Sequence, residues 1–166
     1  MSGDRVAGVK AAVKIADLSA PRRRLARRSG RFEPCAVLVT GGADFVGRHV
    51  ARELAARGHE VRILDSLRPD VHGEAAKPPA YAELRAGNVR DPDAAAAALK
   101  EIDAVIHLAA KVGLGVDAQD LTDYASSNDA GTATLLAGMA RADVGKLTLA
   151  SSMAVYGEGF GRSRAV

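Results

Sequence analysis

Residues 35–47 read Cys-Ala-Val-Leu-Val-Thr-Gly-Gly-Ala-Asp-Phe-Val-Gly, and the pattern changes at the two adjacent glycines. Residues 35–40 form a short apolar run that ends in glycine, which is typical of a strand buried on both faces. Within residues 45–55 apolar side chains recur at helical spacing with charged residues between them, and Gly58 follows as a stop signal. The stretch therefore predicts a strand, a tight turn and an amphipathic helix.

The alternation of strand and helix continues along the chain. Residues 60–65 complete a strand-helix-strand unit of about 30 residues, the size of a parallel crossover. Asp91 is predicted as the N-cap of a further helix, because Pro92 suits the first helical position. The remaining elements are predicted as a loop at 69–79, strands at 82–86, 104–108 and 146–151, and helices at 92–100 and 120–141. This order predicts a doubly wound α/β fold with a mostly parallel, Rossmann-like sheet of strand order 3-2-1-4-5.

The chain has 166 residues, of which 48% are hydrophobic and 26% charged, as in an ordinary globular domain. Its net charge of +3 is unevenly distributed: residues 1–31 carry nine Lys or Arg and two Asp, and the remainder carries 14 basic and 18 acidic residues. A basic, disordered tail is therefore predicted at 1–33 and a mildly acidic folded domain at 34–166, which argues against a nucleic-acid partner. For the tail, a loosely attached surface helix, an organelle transit peptide and a misplaced start codon stay open.

Composition and cysteine content argue against three further classes of protein. No run of about 18 uncharged apolar residues is present, so a membrane-spanning protein is not expected. Cys35 is the single cysteine of the sequence, and no Cys/His cluster has the spacing of zinc ligands. A disulfide scaffold and a metal site are therefore not expected, and the sequence predicts a cytoplasmic protein.

The glycine turn between the first strand and helix predicts an anion site, since a helix N-terminus presents free N–H groups to a pyrophosphate. Gly41 permits the tight turn, and Gly47 permits close packing of the helix on the sheet. Asp65 ends the second strand 24 residues beyond Gly41, where a carboxylate accepts both hydroxyls of an adenosine ribose. An acid there favours NAD over NADP, whose 2′-phosphate it repels, although Arg62 and Arg68 lie nearby in sequence. Together these residues predict a dinucleotide-binding domain.

Several motifs along the chain accompany this turn. They are residues 40–47, Asp65, the Gly-Asn-Val-Arg-Asp run at 87–91, the His-Leu-Ala-Ala run at 107–110, Asn128 with Gly131 and Thr132, and the Ala-Ser-Ser-Met-Ala-Val-Tyr-Gly run at 150–157. Together they resemble the extended short-chain dehydrogenase/reductases, specifically the NAD-dependent nucleotide-sugar epimerases and dehydratases, over residues 36–159. Residues 110–116 and 151–159 are similar to 4-epimerases of dTDP- or UDP-hexoses, including dTDP-rhamnose 4-epimerases.

This resemblance implies a set of cofactor-binding and catalytic residues. The pyrophosphate of NAD lies against Gly41, Phe45, Val46 and Gly47, and its adenosine ribose lies against Asp65. The remaining cofactor-binding positions are Asn88 and Val89 beside the adenine, Leu108, Ala109 and Ala110 beneath the ribose and nicotinamide, and Asn128 in the long helix. Asn88 stands where the family usually has Asp, and its amide oxygen can still accept from an adenine amine. Ser152 is the catalytic serine that hydrogen-bonds the reacting hydroxyl of the substrate.

Asp44 departs from the family pattern, because the family has the second of its three glycines there. A side chain at this position obstructs the pyrophosphate and restricts the backbone, and its negative charge repels two phosphates. We therefore expect this chain to bind NAD weakly.

A second departure concerns the catalytic base. The family uses a Tyr-x-x-x-Lys pair in which lysine lowers the pKa of the phenol that removes the sugar hydroxyl proton. In this sequence Tyr81, Tyr124 and Tyr156 are followed four residues later by Arg, Asn and Phe. Tyr156 is therefore expected to be a packing residue. The chain is expected to be C-terminally truncated relative to the family and not to turn over substrate.

The resemblance implies a nucleotide-sugar 4-epimerase for the full-length protein. NAD oxidises a ring carbon of the sugar, the sugar rotates, and the hydride returns to the opposite face. Two alternatives stay open: a catalytically inactive NAD-binding remnant or regulatory nucleotide-binding module, and a fragment unable to fold on its own. A homodimer is a candidate assembly, since an exposed fifth-strand edge favours association.

Overall fold

The computed structural model describes residues 33–72, 79–113, 117–152 and 155 of the chain. Its strands are β1 (Ala36–Thr40), β2 (Glu60–Asp65), β3 (Glu83–Ala86), β4 (Ala104–His107) and β5 (Leu147–Leu149). They pair in parallel as one sheet of order β3-β2-β1-β4-β5. The predicted fold and strand order are confirmed. Nearly all of the predicted tail lies outside the described residues, so its disorder and the division at residue 33 stay predictions.

Helices alternate with the strands as the sequence predicted, with two differences. The helices are α1 (Phe45–Ala56), α2 (Pro69–His72), α3 (Pro92–Ala98), α4 (Asp120–Tyr124) and α5 (Gly131–Arg141), and a π-helical segment (Ala125–Ala130) joins the last two. The predicted helical region at 120–141 is therefore helical throughout, and a wider π turn in its middle divides it into two α-helices. The predicted loop at 69–79 begins with the single turn α2. None of the helices within the described residues is long and apolar enough to cross a membrane.

The sheet is covered on both faces, which is why β1 is apolar throughout. Leu38 packs into a buried cluster on one face with Leu99 and Leu135, near α3 and α5. Val37 and Val39 point to the other face and pack with residues of α1 and β2. Successive side chains of a strand point to opposite faces, so this pattern requires a strand that is buried on both sides.

Side chains at the helix starts explain where the helices begin. The carboxylate of Asp91 accepts a hydrogen bond from the backbone N–H of Asp93, and Pro92 occupies the first turn of α3. The predicted N-cap and first-turn proline are thus confirmed. A glycine follows the end of α1. Gly58 has φ +85°, and its N–H donates to the carbonyl of Ala55. A glycine in this left-handed conformation is a common way for a helix to end.

The backbones of two loops touch at the point where β1 and β4 lie side by side. Gly41 has φ +68°, and a Cβ added to it would lie 2.7 Å from the backbone nitrogen of Ala109. A Cβ on Gly47 would overlap the carbonyl oxygen of Gly41, so α1 lies directly on the turn. The structure confirms the tight turn expected at Gly41 and the close packing expected at Gly47. The two loops then diverge and leave a cleft between them.

A pair of glycine substitutions measures this contact. We expect Gly41→Ala to lower the free energy of unfolding by about 2–4 kcal/mol, through the positive φ and the clash with Ala109. Gly58→Ala is the matched control, because Gly58 also has positive φ but has nothing within 4 Å of an added Cβ, and we expect a loss of about 1 kcal/mol. Equal losses in urea titrations of the two variants would contradict the contact.

Candidate functional site

A cleft of about 200 Å³ opens beside the carboxyl ends of β1, β2 and β4, the edge at which open α/β sheets bind ligands. Eight of the predicted site residues line it, namely Gly41, Asp44, Asp65, Asn88, Val89, Leu108, Ala109 and Ala110. Sequence reasoning did not identify the other lining residues, which are Ser66, Arg68, Val71, His72, Arg90, Lys111, Val112 and Ser127. Within the described residues, no group of three or more His, Cys, Asp and Glu is arranged to hold a metal ion.

A buried chain of hydrogen bonds supports the cleft from below. The Thr40 hydroxyl lies 2.6 Å from Nδ1 of His107, and Nε2 of His107 lies 3.0 Å from the hydroxyl of Thr132 on α5. The backbone N–H of Ala109 donates to the same Thr40 oxygen at 3.3 Å. A neutral imidazole serves both contacts, by donating at one nitrogen and accepting at the other. Burial lowers the pKa of His107, which favours that neutral form.

Asp65 is buried at the end of β2 and ties two loops together. Its Oδ2 accepts from the backbone N–H of Ala43 at 3.0 Å, within the glycine turn. Its Oδ1 accepts from the N–H of Leu67 at 2.9 Å and lies 3.3 Å from Nε2 of His72. The carboxylate thus holds the turn after β1 against the loop after β2, in addition to the predicted ribose contact, which stays a prediction.

Asp44 caps α1 in place of the expected glycine. Its carboxylate accepts a hydrogen bond from the backbone N–H of Phe45 at 2.7 Å. One of the N–H groups at the start of α1 that have no partner within the helix is therefore already bonded to a negative charge. The backbone at Asp44 has φ −77° and ψ 172°, which any residue adopts. The expected backbone restriction is therefore absent, and the expected repulsion of phosphate by the carboxylate stays a prediction.

The loop after β3 carries Asn88 and Val89. Val89 is buried in the core, whereas Asn88 is half-buried at the cleft. The Asn88 side-chain oxygen accepts from the backbone N–H and from Nε of Arg90, at 3.0 and 3.2 Å. The Asn88 oxygen thus stabilises the loop after β3 through Arg90. We expected the same oxygen to accept from an adenine amine.

Asn128 acts on the backbone of another loop. Its side-chain oxygen accepts from the N–H of Lys111 at 2.8 Å, and its amide donates to the carbonyl of Lys111 at 3.1 Å. The two hydrogen bonds hold Lys111, four residues beyond β4. A side chain of the π-helical segment therefore sets the course of the loop that lines the cleft.

Three cations of the cleft converge on Asp123 of α4. Arg68 Nη1 and Lys111 Nζ each lie 3.0 Å from Oδ2 of Asp123, and Arg90 Nη1 lies 3.4 Å from Oδ1. Hydrogen bonds from Arg68 and then Lys111 hold the pKa of the Asp123 carboxyl well below its usual range. We call these four residues the Asp123 cluster. Arg62, in contrast, pairs with Glu83 and with carbonyls at the end of α3, and it does not line the cleft.

The other predicted site residues lie outside the lining. Phe45 and Val46 are exposed at the start of α1, and Gly47 is buried beneath the turn. Ser152 is exposed beyond β5, and its carbonyl accepts from the N–H of Val155 at 3.2 Å. Tyr156 lies outside the described residues, so its packing role stays a prediction.

Comparison with known proteins agrees with this geometry. The model of the NAD dependent epimerase/dehydratase family matches residues 37–165. The chain belongs to the NAD-dependent epimerase/dehydratase family. Membership in that family accounts for the strand order, the glycine turn and the position of the cleft.

Individual relatives within this family include sugar-nucleotide epimerases. The chain is 37% identical to a dTDP-L-rhamnose 4-epimerase of Burkholderia thailandensis and 35% identical to a UDP-glucose 4-epimerase of Halalkalibacterium halodurans, over 74% of this chain and 36% of each relative. A crystal structure of UDP-glucose-4-epimerase from Stenotrophomonas maltophila with bound NAD and formylated UDP-arabinopyranose matches 74% of this chain and 38% of that one, with 36% identity and a TM-score of 0.63. The chain thus spans a little over a third of the length of these relatives.

Protonation of His107 should destabilise this family member at acid pH. The unfolded chain binds a proton at His107 near pH 6.5, whereas the folded chain binds it only at lower pH. The free energy of unfolding should therefore fall as the pH drops below 6.5, by up to about 1.4 kcal/mol per pH unit from this group. His107→Gln should remove that part of the slope and His49→Gln, at an exposed position, should retain it, as measured by urea titrations at a series of pH values. Equal slopes in the two variants would contradict this assignment.

Proposed function

We propose that this chain is the NAD-binding part of a nucleotide-sugar 4-epimerase that acts on a dTDP- or UDP-hexose. The observation that carries the proposal is the cleft itself, where a glycine turn, a buried strand-end carboxylate and three cations meet at the carboxyl edge of the sheet. That donor set fits a dinucleotide: N–H groups and cations suit phosphates, and a carboxylate suits ribose hydroxyls. The epimerases named above, in the same family, support the choice of reaction.

This proposal assigns a contact with the cofactor or the substrate to each predicted site residue named below. Asp65 would accept from the adenosine ribose through the carboxylate that also fixes Ala43. Asn88 and Val89 would flank the adenine, Leu108, Ala109 and Ala110 would lie beneath the nicotinamide side, and Gly41 with the start of α1 would face the pyrophosphate. NAD, when bound, supplies the hydride acceptor for the sugar carbon. Ser152 would hold the reacting hydroxyl, and the cytoplasm would be the site of action.

A second candidate is a regulatory or catalytically inactive NAD-binding module. Asp44 favours it, because its carboxylate occupies an N–H of α1 that a phosphate would otherwise meet. None of the three tyrosines is followed four residues later by lysine, so the sequence contains no Tyr-x-x-x-Lys base. The two candidates differ in one readout, taken on the whole protein that contains this chain: a nucleotide sugar reduces bound NAD to NADH in an epimerase, and it does not in a binding module.

Both candidates require that this chain binds NAD, so a measurement of NAD binding tests them together. Calorimetric titration should show NAD binding, with NADP bound about tenfold more weakly because the Asp65 carboxylate repels a 2′-phosphate. Asp65→Asn should reduce this preference, since an amide does not repel the phosphate. Absence of NAD binding by the natural chain and by the Asp44→Gly variant would overturn the proposal.

Replacement of Asp44 separates the effect of its charge from that of its bulk. Asp44→Gly should tighten NAD binding by about tenfold, because it removes a negative charge beside two phosphates. Asp44→Asn keeps the size and the capping ability of the side chain, so an equal gain in this variant assigns the effect to charge. The same affinity for NAD in all three proteins, measured by calorimetry, would show that Asp44 does not face the phosphates.

A further inference from the structure

The Asp123 cluster joins three loops that come from three different strands. Arg68 follows β2, Arg90 follows β3 and Lys111 follows β4, and all three line the cleft. Asp123 lies on α4, outside these loops, with about a third of its side chain exposed. One carboxylate thus connects three loops that line the cleft.

The cations lie too close together to stay in place without a counter-ion. Because Arg68 Nη1 and Lys111 Nζ share Oδ2 of Asp123 at 3.0 Å each, they are separated by at most about 6 Å. Arg90 is held at the other oxygen, at 3.4 Å, and its Nη1 also donates to the Ser126 hydroxyl at 2.7 Å. Like charges at such distances repel one another, so the negative charge of Asp123 between them stabilises the arrangement.

Neighbouring contacts fix the positions of Lys111 and Asp123 within the cluster. The backbone of Lys111 is fixed by Asn128, and its Nζ lies 5.8 Å from the centre of the Tyr124 ring as well as 3.0 Å from Oδ2 of Asp123. The Ser127 hydroxyl donates to Oδ1 of Asp123 at 3.3 Å, which orients the carboxylate. The cluster itself carries a net charge of +2, and Asp44 and Asp65 place two negative charges elsewhere in the cleft lining.

We propose that Asp123 is a positioning residue that draws the three loops together and holds Arg68, Arg90 and Lys111 as a cationic wall for the phosphates of a nucleotide. The ligand part of this role rests on the proposed function. The positioning part concerns the protein without ligand, so it can be tested by itself.

The sign of one mutational effect distinguishes positioning from a simple charge effect. If Asp123 acted only as a negative charge near the cleft, its removal would strengthen the binding of an anionic cofactor. If it positions the cations, its removal lets them separate, and binding weakens. Asp123→Asn therefore gives opposite results under the two roles.

Hydrogen–deuterium exchange of the ligand-free protein and calorimetric titration with NAD test the proposal together. Asp123→Asn should speed amide exchange at 66–68, 88–91 and 108–113 by about tenfold or more, and it should weaken NAD binding by about fivefold. Asp123→Glu, which keeps the charge, should restore NAD affinity to within about twofold of the natural chain. Asp129→Asn is the matched control, because it removes an exposed carboxylate from the adjoining π-helical segment, and it should leave exchange in the three loops unchanged.

Two results would overturn the positioning role: unchanged exchange in Asp123→Asn, or tighter NAD binding in that variant. A failure of the natural chain to bind NAD would contradict the proposed function instead. In that case the exchange pattern alone confirms or overturns the role of Asp123.

Discussion

The close approach of the backbones at Gly41 and Ala109 governs the rest of the cleft. Strands β1 and β4 are neighbours in the sheet, and their loops must turn to opposite faces, which opens a crevice where they part. Because Gly41 has no side chain, the turn after β1 lies against the loop after β4 and still reaches Asp65 through the N–H of Ala43. His107 adds a second tie beneath the same point, through Thr40.

Side chains of both charges line that crevice. Asp44 lies in the turn after β1 and Asp65 ends β2, whereas Arg68, Arg90 and Lys111 follow β2, β3 and β4. A dinucleotide site commonly attracts phosphate with the N-terminus of its first helix, but here the Asp44 carboxylate caps that terminus. We therefore expect the attraction for phosphate in this chain to come mainly from the three cations, whose charge exceeds that of the one carboxylate they share. The three cations should contribute more to phosphate binding here than they would if residue 44 were glycine.

The features that the sequence could predict are those encoded locally. The apolar run of β1, the cap at Asp91 and the glycine stop at Gly58 each depend on a few adjacent residues, and the structure confirms all three. The Asp123 cluster could not be predicted, since its members lie up to 55 residues apart in the chain and no local pattern relates them. The π-helical segment escaped prediction for a similar reason: the hydrogen bonds of Asn128 to Lys111 are long-range, and helical periodicity does not contain them.

The cleft is held in shape by contacts among its own residues. Each polar group that shapes the cleft has a partner within the described residues: Asp65 has Ala43 and Leu67, Asn128 has Lys111, and His107 has two threonines. The cleft is thus pre-formed by its own contacts, although about 200 Å³ is below the roughly 300–1,000 Å³ of most cofactor sites. His72 lies against Asp65 in the cleft lining. The binding of a dinucleotide to this cleft can be measured independently of any turnover.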